Sequence, residues 1–289
     1  MPVKSLIIGA GNESQNILNH MQHIGVNGLE FIEHNTSIDE LRTKLASADL
    51  IFIVVYMGES TAISDSRIIA EIAKELDILS IAIASKPFKF EGNERQKIAE
   101  KGLEHLSKEY DVIVVVKNDK LLSIIDKSFN MHETFEVVGS VLEEAIHGIT
   151  GVLLPSERNA ITLDLTDLKS VMRHPGLALM GVGESQGDNA AYEAIKAVIE
   201  SPLLDNMSIS GAKGILVHFQ VHPDFPTSDI VDVMEIIYES TENNADVIFG
   251  TTIDIDMPID AVSVTLIATG FGGFETLVWV NNLDYASDW

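Results

Sequence analysis

The chain has no cysteine, so it can form neither a disulfide nor a thiolate metal site, and it suits a reducing compartment. Cations are scarce as well. Nineteen lysines and arginines stand against 44 acidic residues, a formal net charge of −25, and no lysine or arginine occurs beyond Lys213. Nucleic acids and anionic membranes are bound through basic patches, so neither is an expected partner. The C-terminal part is strongly acidic and self-repelling at low salt. Long apolar runs are also missing. The longest, Leu50 to Met57, is far shorter than the roughly 20 residues of a membrane-spanning helix, so direct membrane insertion is not expected. Met1-Pro-Val-Lys4 leads straight into a strand pattern without a secretory leader, which makes the cytoplasm the expected location. No internal repeat or low-complexity segment is present.

With 289 residues, 46% of them hydrophobic, the chain can bury a sizeable core as one large domain or two smaller ones. Buried-strand runs fall at residues 3–8, 29–33, 49–56, 79–85 and 111–117, alternating with helical patterns at 14–24, 38–46, 67–76 and 93–109. Residues 118–122 open another short helical piece. Such alternation predicts a doubly wound parallel sheet of α/β class. A second lobe follows, with strands at 177–184, 215–221, 245–254, 261–270 and 275–280 and helices at 189–201 and 227–243.

The two halves meet at a central helix. Asn130-Met-His-Glu133 reads as a capping box, and Phe135, Val138, Val141, Leu142, Ala145, Ile149 and Val152 recur at helical spacing behind it. From 130 to 153 this helix runs roughly 36 Å. It breaks at Pro155-Ser-Glu-Arg-Asn159. A second helical run then begins with Asp164 and Asp167, three apart on one face of an N-terminus, where the helix dipole favours acids. Spacing alone leaves two readings, a capping pair and a reactive pair.

Two weaker signals remain. Gly9-Ala-Gly11 joins a strand to a helix, as phosphate-binding turns do, and Glu33 lies about 20 residues on, where dinucleotide enzymes place a ribose-binding acid. A Rossmann-type dinucleotide enzyme is therefore one reading, although no convergent His, Lys or Tyr set accompanies it. His218 and His222 share one strand face without a third ligand, so no metal is expected.

The segment Thr162-Leu-Asp164-Leu-Thr-Asp167 resembles the synergy loop of FtsZ, the filament-forming GTPase related to tubulin, whose family pattern is Asn-x-Asp-x-x-Asp. The likeness extends over nearly the whole chain. It is closest in Ile69-Ala-Glu-Ile-Ala-Lys-Glu-Leu76, Lys86-Pro-Phe88, Asn118-Asp-Lys-Leu-Leu122, Gly176-Leu-Ala-Leu-Met-Gly181, Glu200-Ser-Pro-Leu-Leu204 and Ile267-Ala-Thr-Gly-Phe271. The resemblance implies an FtsZ/tubulin-like Rossmann-type domain over residues 1–129, a central helix and synergy loop over 130–174, and a smaller FtsZ-like α/β domain over 175–289. It also implies that Asp164 and Asp167 act in trans on GTP held by a neighbouring subunit.

The departures from the family concentrate at the nucleotide. Where the family has a Gly-Gly-Gly-Thr-Gly-Thr-Gly phosphate loop, this chain reads Gly58-Glu-Ser-Thr-Ala-Ile-Ser64, keeping only Gly58 and Thr61. Glu59 brings negative charge to the phosphate position, and β-branched Ile63 resists the backbone that glycines adopt there. One carboxylate against one phosphate charge at ~5 Å and an effective dielectric of ~20 costs on the order of 3 kcal/mol. In the first turn Gly9 and Gly11 remain, but Glu13 follows. Between residues 36 and 48 one short helix replaces a longer family segment that carries another phosphate-contacting loop. The base-stacking aromatic corresponds to Phe135, the base-reading Asn to Gly139, and Glu91 and Arg95 match ribose and base contacts. A degenerate paralogue without a bound cofactor is the expectation, with Glu13 and Glu59 replacing phosphates at two helix N-termini. It would assemble with itself or with a paralogous FtsZ. A divergent FtsZ that still binds GTP or GDP is the alternative.

Overall fold

A computed structural model describes residues 3–24, 29–32, 36–122, 125, 128–153, 161, 164–174, 177–201, 204, 209–241 and 245–271. The first half is built on β1 (Ser5–Ala10), β2 (Leu29–Ile32), β3 (Leu50–Tyr56), β4 (Leu79–Lys86) and β5 (Val112–Lys117). Its helices are α1 (Asn12–Ile24), α2 (Ile38–Leu45), α3 (Ser60–Glu75), α4 (Asn93–Leu106) and the short α5 (Asn118–Leu121). The long α6 (Met131–Leu153) and α7 (Leu165–Met172) follow. Then come β6 (Leu177–Gln186), α8 (Ala190–Ile199), β7 (Gly214–Val221), α9 (Thr227–Ser240), β8 (Asp246–Ile253) and β9 (Ala261–Phe271).

All nine described strands form one sheet in the order β2-β1-β3-β4-β5-β6-β9-β7-β8. Neighbours from β2 through β6 are parallel, and β9 runs antiparallel between β6 and β7. The strands of the first half read as continuous apolar runs because both of their faces are covered. In β3, Leu50, Phe52 and Val54 face one core while Ile51, Ile53 and Val55 face another; Ile81 and Ile83 against Ala82 and Ala84 repeat this in β4. Leu18 and Met21 of α1 and most of the apolar stripe of α6 fill the first core, and α2, α3 and α4 fill the second. A third core lies under α8 and α9 on β6, β7 and β9.

The central helix begins as its sequence predicts. Asn130 Oδ1 accepts from the backbone N–H groups of His132 (2.9 Å) and Glu133 (3.2 Å), while Glu133 Oε2 accepts from Asn130 N (2.7 Å). Val138, Val141, Leu142, Ala145, Ile146 and Ile149 are buried along it. One expectation fails. The helix expected over residues 67–76 starts earlier, because α3 already begins at Ser60. No glycine or proline occurs between Glu59 and the end of α3, so no strong helix breaker interrupts that stretch. The expected strand at 275–280 and the break at Pro155–Asn159 lie outside the described residues.

Candidate functional site

In the order β2-β1-β3-β4-β5 the chain reverses direction between β1 and β3, and ligands of open α/β sheets bind at the carboxyl ends of such a switch point. Here α1 starts two residues after β1 and α3 four residues after β3, so two helix N-termini converge there. Ser14 ties the two turns together, its Oγ donating to Ala10 O (2.7 Å) and accepting from Tyr56 N (3.0 Å).

The first turn of α3 is wedged in place. Gly11 adopts φ +81°, and a Cβ there would lie 2.7 Å from the Ala62 methyl. On the other side Ile63 covers Gly102 of α4, where a Cβ would come within 2.3 Å of Ile63 Cδ1. Glu59 is the N-cap, but its carboxylate makes no capping hydrogen bond. The expected satisfaction of orphan N–H groups by the Glu59 side chain is therefore not found. Glu13, in the first turn of α1, pairs with Arg95 (3.4 Å). Burial pushes the Glu13 carboxyl above its usual range; Arg95 opposes this, while Glu59 and then Glu91 add to it.

Beside these turns opens a cavity of about 590 Å³. Glu13 and Ile17 of α1, Tyr56 at the end of β3 and Arg95 of α4 form one side of its lining; His132, Phe135, Glu136, Val138 and Gly139 of α6 contribute the rest. The rings of Tyr56 and Phe135 lie 6.5 Å apart, and Phe88 meets Phe135 edge-on at 5.7 Å. Behind them the nearly buried Glu91 carboxylate accepts from Tyr56 Oη (2.5 Å), Phe88 N (2.7 Å) and Arg95 Nη1 (2.8 Å). Burial, followed by the Glu91 bond, holds the Tyr56 hydroxyl well above the usual phenol range. Arg95 is thus already engaged by Glu91 and Glu13. A Cβ added to Gly139 would meet nothing within 4 Å, so that wall is open.

Of the residues expected at the site, Arg95 and Phe135 line the cavity and Glu91 joins it through Tyr56 and Arg95. Gly58 packs against Tyr56 and Arg95, Gly9 and Gly11 shape the β1–α1 turn, and Thr61 is exposed on the first turn of α3. Tyr56, His132 and Glu136 were not anticipated. The hydroxyl ending an otherwise apolar strand is the one sequence signal that points to Tyr56.

Asp164 and Asp167 follow the far end of α6, away from the helical turns that line the cavity. They form a reciprocal cap on α7, with Asp164 Oδ1 accepting from Asp167 N (2.8 Å) and Asp167 Oδ2 from Asp164 N (3.3 Å). Thr162 lies outside the described residues, as does Glu33, on which the dinucleotide reading depends. His218 is buried and bonds Thr252 Oγ1 (2.9 Å), whereas His222 Nδ1 accepts from Asp224 N (3.1 Å). Burial, with a contribution from His147, holds His218 down at about 4. Among the described residues no group of three or more His, Asp or Glu is placed to hold a metal ion, and no helix is long and apolar enough to cross a membrane.

Residues 9–126 match the GTPase domain of the Tubulin/FtsZ family, and residues 176–272 match the C-terminal domain of the FtsZ family. The cell division protein FtsZ of Helicobacter pylori strain J99 is 40% identical over 234 residues, spanning 81% of this chain and 60% of that protein. The cell division protein FtsZ of Pseudomonas aeruginosa is 35% identical over 305 residues, spanning 92% of this chain and 77% of that protein. Among solved structures, an empty FtsZ dimer from M. jannaschii superposes with a TM-score of 0.85 at 27% identity, covering 93% of this chain and 89% of that one. The cleft at the switch point and the central helix beside it therefore sit within a fold and a sequence pattern shared from end to end of the matched regions, and the chain belongs to the FtsZ family.

Proposed function

We propose that this protein is an FtsZ-type cytoskeletal subunit of cell division whose cleft does not take GTP, and that it joins a filament of an active FtsZ through its Asp164–Asp167 end. The observation that carries the reading is the packed first turn of α3. Ala62 fills the space over Gly11, and Glu59 stands at the N-cap where the family's glycine loop would lie against phosphates. Glu13 adds a second acid at the neighbouring helix N-terminus, and the Arg95 guanidinium beside it is held by Glu91 and Glu13. A triphosphate would bring further negative charge among these groups, so the residues present do not fit it.

A filament of this protein alone would set Asp164 and Asp167 of one subunit against Glu13 and Glu59 of the next. That contact would hold no nucleotide, whereas a GTP-bearing FtsZ offers Asp164 and Asp167 the substrate on which the family's loop acts. There Asp164 and Asp167 would position water on the partner's GTP, and the acidic cleft would point outward and block further addition. The test adds substoichiometric protein to polymerising FtsZ and follows filament length by electron microscopy. Shortening that an Asp164→Asn/Asp167→Asn variant abolishes is the expected result. Unchanged lengths, with filaments of this protein alone in nucleotide-free buffer, would replace the cap by a nucleotide-independent polymer.

A further inference from the structure

We propose that the cleft between α1, β3 and α6 is a receptor for a small planar organic cation. This rests on the reading that the cleft does not take GTP, and it names what the remaining space accepts. The cavity, about 590 Å³, falls in the range of small-molecule sites, which combine apolar walls with a few fixed polar groups. Its walls are Tyr56 and Phe135, with rings 6.5 Å apart, together with Ile17 and Val138. The missing side chain at Gly139 leaves room for a flat ring beside Phe135.

Polarity decides the charge of the ligand. Glu13 and Glu91 both pair with the Arg95 guanidinium, Glu59 adds negative charge beside Glu13, and Glu136 lines the cavity from α6. Arg95 is closed off by Glu91 at 2.8 Å and Glu13 at 3.4 Å, so it has little left for an incoming anion. Glu91 is likewise satisfied by Tyr56, Phe88 and Arg95. Glu13 and Glu136 are the acids that face the cavity from α1 and α6, Glu13 shared with Arg95 at 3.4 Å and Glu136 lying 3.4 Å from His132 Nε2. An ammonium or amidinium between them, on a ring lying against aromatic faces, gains ion pairing and cation–π attraction together.

The test uses two probes with the same ring and opposite charge. Tryptamine and indole-3-acetate are titrated into the full chain by isothermal calorimetry, with GTP as a third titrant. Saturable tryptamine binding, at least about tenfold tighter than indole-3-acetate, is the expected result. A Glu13→Gln/Glu136→Gln variant that melts as a folded protein should lose that preference, and Phe135→Leu should weaken both probes. Equal binding of the two probes, or binding of neither, overturns the proposal while leaving the absence of GTP binding intact. Micromolar GTP binding that displaces tryptamine overturns both. The comparison on the unaltered chain stands even where a variant fails to fold.

Discussion

Glu144 gives the most quantitative prediction. It lies on the stretch of α6 that packs against the second lobe, half-buried, and burial raises its carboxyl from the ordinary 4.5 to about 7, with Glu184 of β6 and then Glu143 adding to the shift. The folded protein therefore holds this proton more tightly than the unfolded chain does. Linkage sets the sign: the native state is favoured below pH 4.5 and loses that advantage as pH rises through 7. Charged Glu144 then costs on the order of 1–3 kcal/mol, the lower part of the range allowing for its partial exposure. Glu144→Gln should accordingly raise the melting temperature by several degrees at pH 8 and leave it nearly unchanged at pH 5. His218 titrates in the opposite sense. Held down at about 4, it loses stability as pH falls below its ordinary 6.5, so the comparison is cleanest above neutrality. Thermal melts of both proteins from pH 5 to 9 check the account. A Glu184→Gln background should shrink the Glu144→Gln gain. An equal shift at pH 5 and pH 8, or destabilisation at pH 8, would refute the assignment of a half-buried Glu144 beside Glu184 to this seam.

Three further outcomes follow from local geometry. Gly11→Ala should destabilise by about 1–3 kcal/mol in chemical denaturation, because the residue sits at φ +81° and its methyl would meet that of Ala62. Asp164→Ala should cost about 1 kcal/mol through the lost cap on α7, whereas Asp164→Asn keeps the cap and should leave stability within about 0.5 kcal/mol. Loss of any effect on FtsZ filaments in Asp164→Asn would therefore report the carboxylate's chemistry and not the fold. Tyr56→Phe should cost about 1–2 kcal/mol, since Glu91 loses one of its three donors in a nearly buried position.

The sequence was most legible where one residue's neighbours in the chain decide its structure. The capping box of Asn130 and Glu133 is local chemistry, and it appears with all three hydrogen bonds. The apolar runs of β3, β4 and β5 gave the parallel sheet because only strands covered on both faces read that way. The start of α3 was misread for the opposite reason. Ser60, Thr61, Asp65 and Ser66 have the composition of a loop, and the contacts that Ala62 and Ile63 make are with Gly11 and Gly102, distant in sequence. Tyr56 and Glu136 were overlooked likewise, because the cavity exists only once β3 and α6 are brought together. Glu144 looks like a surface acid in an amphipathic helix, and its burial in the fold, followed by the approach of Glu184 forty residues on, gives it a different character.

The claim on which this account turns is that the acids and the packed first turn of α3 leave no place for a triphosphate. Equilibrium titration of the purified chain with GTP and magnesium tests it directly. No saturable binding below about 100 μM, equivalent to less than about 5.5 kcal/mol of binding free energy, is the predicted result. A submicromolar dissociation constant, or guanine nucleotide retained through purification, would contradict it.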